Sequence, residues 1–296
     1  MRTRIRKGVQ LLYGILGLSL SSSIALHPFV SYIVHSIAPR TTSIYTGENE
    51  LRLKLTLQEA YESGFMFLGT MNPYETHAIK QILKRGDVFI DVGAYVDGWH
   101  SLIAAKIVGP SGHVYAFEPF PAFYKKLVRN MKLNRLSNVT AEKYAISDKK
   151  GSKDFFEDGL KSSFFTDSSP EKARKIDVPT ISLGEYISLK KLKNVKLVKI
   201  DVEGAEMNVL RGMDTLLSRK DSPDLMLECI DQFLKRAGES RTKLLSYLSK
   251  HGYYAFTFTA GGLTRYSKNS TQETFNLYFS KSKNPITNGD TKSIHE

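Results

Sequence analysis

Residues 88–119 constrain the fold of this chain more than any other stretch. They read as a β-branched strand that ends in Asp91, a glycine turn, a helix and a second strand that ends in Glu118. This order is typical of the first half of a nucleotide-binding α/β sheet. Gly93 and Gly98 let the backbone turn sharply and approach a ligand. An ionised Glu118 is a bidentate acceptor for the two hydroxyls of a ribose. The alternative is a plain βαβ unit, in which the glycines only allow the backbone to turn.

The loop after the first strand indicates which nucleotide such a sheet would bind. Dinucleotide folds favour the pattern G-x-G-x-x-G with a phosphate at the helix N-terminus, and residues 92–98 do not match it. Asp91 precedes the first glycine instead, which suits a cationic or amine-bearing ligand. S-adenosylmethionine carries an ammonium, a sulfonium and a ribose but no phosphate, so it fits this loop better than a dinucleotide does.

Five segments carry a resemblance to a known family. In chain order they are YETHAIKQILKRGDVFIDVGAY, VYAFEPFPAFYKKLVRNMKLN, AISDKKG, VKLVKIDVEGAEMNVLRGMDTLL and PDLMLE. Over residues 74–279, roughly two thirds of the 296 residues, the sequence resembles the FkbM family of S-adenosylmethionine-dependent methyltransferases. KIDVEGAE is the most specific of these motifs. Where the family usually reads DVGANIG, this chain reads DVGAYVDG, with Tyr95 in place of Asn and the next glycine one residue later.

The resemblance implies a fold and a donor site. The fold is α/β, a class I methyltransferase Rossmann-like sheet that is mostly parallel with an antiparallel C-terminal hairpin. The cofactor is S-adenosylmethionine. The residues expected to bind it follow three successive strands, with the last group around the adenine: Asp91, Gly93, Ala94, Tyr95, Glu118, Pro119, Ala145, Ser147 and Asp148.

Acidic residues that directly follow apolar runs are the candidates for catalysis, because burying them is costly unless they bind something. Methyl transfer to a hydroxyl needs a base near the attacking oxygen. Asp201 is the first candidate for that base and Glu203 the second, while Glu228 is expected to orient the acceptor. His100 is an alternative base, and a strand-end Asp can instead cap a helix. Asp201 and Glu228 could also hold Mg²⁺, but no metal site is predicted.

Hydrophobic periodicity places the remaining elements. Strands are expected at residues 88–91, 113–118, 139–145, 196–201, 225–228, 253–259 and 274–279, and helices at 73–84, 100–108, 122–133, 205–217 and 241–251. Residues 159–175 are polar and predict a loop, a candidate mobile flap over the site. The domain organisation predicted is a basic N-terminus and hydrophobic membrane segment (1–39), a linker and leading segment (40–72), the methyltransferase domain (73–280) and a disordered tail (281–296).

The N-terminus predicts an association with a membrane. Four of the first seven residues are Arg or Lys, and residues 8–39 contain no formally charged residue. An apolar stretch of about 20 residues is long enough to span a bilayer. A cleaved signal peptide and a hairpin of two half-helices broken at Pro28 are the alternatives. The protein is therefore expected to be membrane-associated, with the catalytic domain in the cytoplasm.

Composition narrows the function classes further. The chain has 42 Lys and Arg against 30 Asp and Glu, a formal charge of +12. Such lysines form solvated faces or attract an anionic membrane or acidic glycan. Nucleic acid is not expected as a partner, because no motif pairs the basic residues with stacking aromatics. The single cysteine, Cys229, excludes an internal disulfide framework and is expected to be buried.

Three functional interpretations follow. The first is an O-methyltransferase that acts on a hydroxyl of a glycan, glycolipid or secondary metabolite, with a small-molecule or glycan acceptor as its partner. The second is a membrane-tethered, non-catalytic binding protein of the same fold. The third is a nicotinamide-dependent oxidoreductase, which shares the sheet and the ribose-binding acid.

Overall fold

The computed structural model describes residues 42–46, 50–56, 73–95, 97–158, 161–163, 174–259, 262–267 and 276–285. The chain divides into two compact units, Met1–Pro73 and Tyr74–Glu296. In the first unit, β1 (Thr42–Thr46) and β2 (Arg52–Thr56) form an antiparallel pair. Residues 42–46 are thus a strand rather than linker, which agrees with the β-propensity of the sequence TSIYT.

The remaining elements alternate between strands and helices over most of the described chain. The helices are α1 (Pro73–Ile82), α2 (Trp99–Val108), α3 (Pro121–Leu133), α4 (Leu183–Leu189), α5 (Glu206–Arg211), α6 (Asp214–Leu217), α7 (Asp231–Arg236) and α8 (Arg241–Lys250). The strands are β3 (Val88–Val92), β4 (His113–Phe117), β5 (Val139–Glu142), β6 (Ala145–Ser147), β7 (Gly151–Asp158), β8 (Lys161–Ser163), β9 (Arg174–Ser182), β10 (Val195–Ile200), β11 (Asp224–Glu228), β12 (Tyr254–Thr259), β13 (Gly262–Arg265) and β14 (Asn276–Ser280).

The larger sheet has the order β13-β12-β14-β11-β10-β3-β4-β5 among the described strands. The pairs from β5 through β11 are parallel, whereas β14 runs antiparallel to both β11 and β12. The last strand in sequence is therefore inserted between two earlier ones. This mixed sheet is a class I methyltransferase-like α/β fold, which confirms the predicted fold class, and β13 adds an edge strand that the sequence did not indicate.

The central strands are buried on both faces, as expected for parallel strands covered by helices. Val92, Val198 and Ile200 belong to one large apolar cluster with side chains from α5, α8 and β11. On β10, Lys199 lies directly opposite Asp91 of β3 in the parallel register. Side chains at paired positions share a face of the sheet, so the fold brings this lysine and this aspartate together.

A second, smaller sheet was not predicted. Its order is β6-β9-β7-β8, and it draws in residues 161–163 and 174–182. The expectation of a loop over residues 159–175 is therefore wrong where β8 and the start of β9 form, and residues 164–173 lie outside the described part. Phe155 and Val178 are buried in a second apolar cluster together with Phe120, Phe123 and Ala145, which supplies the apolar face that this sheet needs.

One predicted helix and one predicted strand are each divided in two in the structure. Residues 205–217 form two short helices, α5 and α6, rather than one. The strand expected over residues 139–145 is divided into β5 and β6, which belong to different sheets. Cys229 is fully buried, as predicted.

The prediction of a membrane-associated protein is wrong on the present finding. No helix within the described ranges is long and apolar enough to cross a bilayer. Residues 1–39, on which that prediction rested, lie outside those ranges, as do residues 286–296 of the expected tail.

Candidate active site

The candidate site lies at the carboxyl ends of β3, β4, β10 and β11, because parallel strands of one sheet end at the same edge. The loop after β3 is held by paired hydrogen bonds. The amides of Gly93 and Ala94 each donate to the carbonyl oxygen of Phe117 at 3.0 Å. Gly93 has a φ of 85°, and a Cβ there would lie 1.9 Å from the carbonyl oxygen of Asp201. The loop can therefore pass this close to β10 only with glycine at that position.

The carboxylate of Glu118 connects two loops. Its Oε2 accepts a hydrogen bond from the amide of Tyr95 at 2.9 Å, and its Oε1 accepts one from the amide of Phe120 at 2.9 Å. The residue is only 4% exposed. Burial raises the pKa of Glu118 to about 7, although both amides lower it. Each carboxylate oxygen has a second acceptor position, so these bonds organise the loops without using up the acceptor capacity of Glu118. Pro119, beside it, is half-buried.

Asp91 and Asp97 place two more acids beside the loop. Asp91 is 1% exposed, and its Oδ2 accepts a hydrogen bond from the hydroxyl of Ser101 at 2.6 Å. Burial raises its pKa, although Lys199 and Ser101 lower it. Asp97 Oδ1 accepts from the amide of Trp99 at 2.7 Å, while no described residue bonds its buried Oδ2. Burial also raises the pKa of Asp97 to about 7.

An orphaned, buried carboxylate oxygen beside this loop fits a cationic ligand, because a positive charge would offset its desolvation. S-adenosylmethionine carries two positive groups and a ribose, so the residues present fit this cofactor. When bound, it supplies a methyl group made electrophilic by a sulfonium.

Lys199 is the site residue that the sequence analysis missed. Its ammonium Nζ lies 3.1 Å from Asp201 Oδ2 and 3.6 Å from Asp91 Oδ1. Its only sequence signal was a charge inside the apolar run VKLVKI. Strand alternation and the pairing with β3 would have been needed to find its partners.

The ends of β10 and β11 gather the predicted catalytic acids. Asp201 has 30% of its side chain exposed. Glu203 follows in the turn with a φ of 54°. Glu206 is buried, and its Oε1 accepts hydrogen bonds from the amides of Val202 and Gly204, both at 3.1 Å. These two bonds hold the turn in shape. Burial raises the pKa of Glu206 to about 7, although the amides lower it.

Glu228 stands at the end of β11. Burial, together with the neighbouring acids Asp201, Glu206 and Glu203, raises the pKa of Glu228 to about 10. Its Oε2 is buried and has no hydrogen-bond partner in the described part of the chain. This environment favours the protonated form of the Glu228 carboxyl group, which can donate a hydrogen bond.

The residues expected around the adenine lie on the second sheet. Ala145 is buried in the cluster of Phe120 and Phe123, against which the half-buried Tyr95 packs. Ser147 and Asp148 instead meet Lys153, whose Nζ lies 2.7 Å from Ser147 Oγ and 3.0 Å from Asp148 Oδ1. The geometry thus brings Ala145 near the loop of Tyr95, while the polar groups of Ser147 and Asp148 bond elsewhere.

His100, the alternative base, faces α1 rather than an open cleft. Its Nε2 lies 3.4 Å from Glu75 Oε2, and both side chains are buried. Burial and the charge of Lys199 hold the pKa of His100 well below its usual range. As for metals, no group of three or more His, Cys, Asp and Glu among the described residues is arranged to hold an ion.

The fold and the site together define a class I methyltransferase with a site for S-adenosylmethionine. Residues 91–254 match the family described as "Methyltransferase FkbM domain". The chain belongs to this family. The family is one of S-adenosylmethionine-dependent methyltransferases, which confirms the predicted family and its cofactor and argues against the oxidoreductase interpretation.

Three curated proteins show the range of similarity. Methyltransferase 1 of Beauveria bassiana is 33% identical over 36% of this chain and 50% of its own length. The 31-O-demethyl-FK506 methyltransferase FkbM of Streptomyces tacrolimicus is 26% identical over 52% of this chain and 70% of its own. The hexuronic acid methyltransferase AglP of Haloferax volcanii is 30% identical over 48% of this chain and 58% of its own. The chain thus spans about half of the first of these relatives.

A solved structure of a methyltransferase FkbM from Methylobacillus flagellatus is also similar. It is 14% identical in sequence, with a TM-score of 0.42 over 88% of this chain and 60% of that one.

Proposed function

We propose that this protein transfers a methyl group from S-adenosylmethionine to a hydroxyl of a small-molecule or glycan acceptor, with Asp201 as the base. The observation that carries the proposal is the contrast between Asp201 and its neighbours. Asp91 and Glu206 are 1% exposed and Glu118 is 4% exposed. Asp201 keeps 30% of its side chain exposed and lies at the end of β10. Of these four carboxylates it is therefore the one best placed to meet an incoming hydroxyl.

The names of two relatives support an oxygen acceptor. One is named for methylation at an oxygen of FK506, and the other for a hexuronic acid, which is a sugar acid. The class that includes glycans, glycolipids and hydroxylated secondary metabolites is consistent with both names. The particular acceptor depends on loops that carry no transferable motif.

The chemistry assigns a separate role to each acid. Asp201 Oδ2 is bonded to Lys199, so we assign Oδ1 to the proton of the acceptor hydroxyl as that oxygen attacks. Glu228, in its protonated form, donates a hydrogen bond that orients the acceptor. Glu203, the second candidate for the base, lies in the turn that follows. Asp91, Gly93, Ala94, Tyr95, Glu118 and Pro119 surround the donor side of the site.

The test is Asp201→Asn, which preserves size but loses proton affinity. We expect turnover to fall by roughly 10²–10⁴ while donor affinity changes much less. Labelled S-adenosylmethionine would be supplied with a sugar, a sugar acid and a hydroxylated polyketide, and donor affinity measured by calorimetry. The matched control is Asp224→Asn. Asp224 begins β11, at the end opposite Glu228, and its Oδ2 pairs with Lys196 at 2.9 Å.

Two outcomes would contradict the proposal. Near-normal turnover by a folded Asp201→Asn enzyme would remove the base assignment and move it to Glu203 or His100. Binding of the donor without methylation of any hydroxyl acceptor would contradict the O-methyl assignment itself.

A further inference from the structure

Lys199 is a buried cation in the middle of an apolar strand. It is 4% exposed, between Val198 and Ile200, which are both fully buried. Taking an ammonium out of water is costly unless carboxylates pair with it. Burial alone lowers the pKa of Lys199, but the charges of Asp201, Asp91 and Glu75 raise it above its ordinary value. The lysine is therefore charged, and the negative charges of these three acids stabilise its ammonium.

The surroundings of Lys199 are strongly acidic. The titratable groups that face it come from α1, α2 and its preceding loop, β3, β4, β10 and β11, and they are Glu75, His100, Asp97, Asp91, Glu118, Asp201 and Glu228. His100 is neutral for the reason given above. Lys199 is thus the cation that separates the donor-side acids from the acceptor-side acids.

We propose that Lys199 is a positioning residue, whose ammonium holds Oδ2 of the Asp201 carboxylate so that Oδ1 faces the acceptor. This inference rests on the proposed function, because it acts through Asp201. Without the ammonium, the Asp201 carboxylate would lose the donor that fixes Oδ2, and Oδ1 would no longer be held toward the proton of the attacking hydroxyl. By contact with Asp91, the same ammonium joins the base to the donor side.

The side-chain geometry supports positioning rather than packing alone. The contact with Asp201 is a hydrogen bond at 3.1 Å between residues two apart on one strand face, which restricts the rotation of the Asp201 carboxylate. The contact with Asp91 at 3.6 Å is electrostatic. Two buried charges that served only the fold could be replaced together by apolar residues of similar volume, whereas removal of one partner strands the other. Variants that remove one charge and both charges therefore separate the two roles.

The first experiment compares the loss of two lysines from one strand. In folded Lys199→Met we expect turnover to fall at least tenfold, because the Asp201 carboxylate loses the donor that orients it. Lys196→Met is the matched control, since Lys196 lies on the same strand and pairs with Asp224, and it should keep wild-type turnover.

Loss of Lys199 leaves Asp91 without its cation, so Lys199→Met could fail to fold. The double variant Asp91→Asn/Lys199→Met removes both charges and is measured in the same way. Wild-type turnover in whichever variant folds overturns the inference. If neither variant folds, Lys199 serves the fold itself and the positioning role is likewise rejected.

The second experiment separates this inference from the proposed function. Turnover is compared for wild type, Lys199→Met, Asp201→Asn and the combined variant Lys199→Met/Asp201→Asn, with the acceptors named above. We expect Lys199→Met to lower turnover at least tenfold, with no further loss when it is added to Asp201→Asn. Normal turnover in folded Asp201→Asn contradicts the base assignment. Reduced turnover in Asp201→Asn with wild-type behaviour in Lys199→Met overturns only the role of Lys199.

Discussion

The proposed donor side and the proposed acceptor side of the site are built differently, although they lie on neighbouring strands. On the donor side, Glu118 and Asp91 are nearly inaccessible and bonded by amides and a hydroxyl. On the acceptor side, Asp201 is partly open and Glu228 is crowded by other acids. The difference shows that hydrogen bonds to the backbone fix the donor side, whereas a balance of charges sets the state of the acceptor side.

The consequence is a difference in what each side can tolerate. A side fixed by backbone bonds is sensitive to shape, because a lost or displaced contact moves a whole loop. A side set by charges is sensitive to pH and to neighbouring substitutions. Three substitutions test this contrast.

The largest effect is expected where the two sides touch, at Gly93. In Gly93→Ala, the added methyl would lie 1.9 Å from the carbonyl oxygen of Asp201, at a φ of 85°. We expect the free energy of unfolding to fall by about 3–5 kcal/mol, from positive-φ strain and overpacking together. Urea unfolding measures this change.

Gly252→Ala is the control for Gly93→Ala. Its φ is 83°, and a Cβ there meets nothing within 4 Å. This variant isolates the backbone strain, which should cost only about 1 kcal/mol. Equal losses in the two variants would show that β10 moves away easily, so that the close approach of Gly93 to Asp201 does not constrain the structure.

The second effect concerns Glu206, whose pKa is raised to about 7 from 4.5 by burial. A raised folded-state pKa gives stability that is complete below the unfolded pKa and is lost as pH rises through 7. Glu206→Gln lacks this loss but still accepts hydrogen bonds. The stability of the variant relative to wild type should therefore rise by about 2–3 kcal/mol from pH 5 to pH 8.

Urea unfolding at several pH values measures this difference. Glu185→Gln, at a half-exposed position in the first turn of α4, serves as the control and should keep the wild-type pH slope. Parallel stability curves for Glu206→Gln and wild type would mean that charge does not govern the acceptor side.

The smallest effect is expected for donor affinity in Glu118→Ala. The substitution leaves the amides of Tyr95 and Phe120 without their acceptor and removes the proposed partner of the ribose. We expect S-adenosylmethionine to bind roughly tenfold more weakly, about 1.4 kcal/mol, by calorimetric titration. Glu142→Ala, at the end of the next strand, where Glu142 accepts from Tyr186 at 2.9 Å, is the control. Unchanged affinity in Glu118→Ala would move the ribose site elsewhere.

The sequence predicted the larger sheet well because its signals are local. Apolar runs that end in Asp91, Glu118, Asp201 and Glu228 marked strands, and parallel strands bring their ends to one edge. The second sheet escaped prediction since β8 is three residues long and its strands read as polar. A hydrophobic N-terminal stretch was over-interpreted, because apolar length alone does not establish a span.

By itself, the amino-acid sequence determined the strands of the larger sheet apart from β13, the acids at the strand ends and the family. Only the tertiary structure decided how those acids are paired and buried. It placed Lys199 opposite Asp91 and beside Asp201, bonded Glu118 to two loops and buried Glu228 among other carboxyl groups. These facts depend on the register between strands far apart in the chain and on the removal of charges from water. No local sequence pattern shows the register or the burial, because both depend on which distant residues share a face and on how much solvent reaches them.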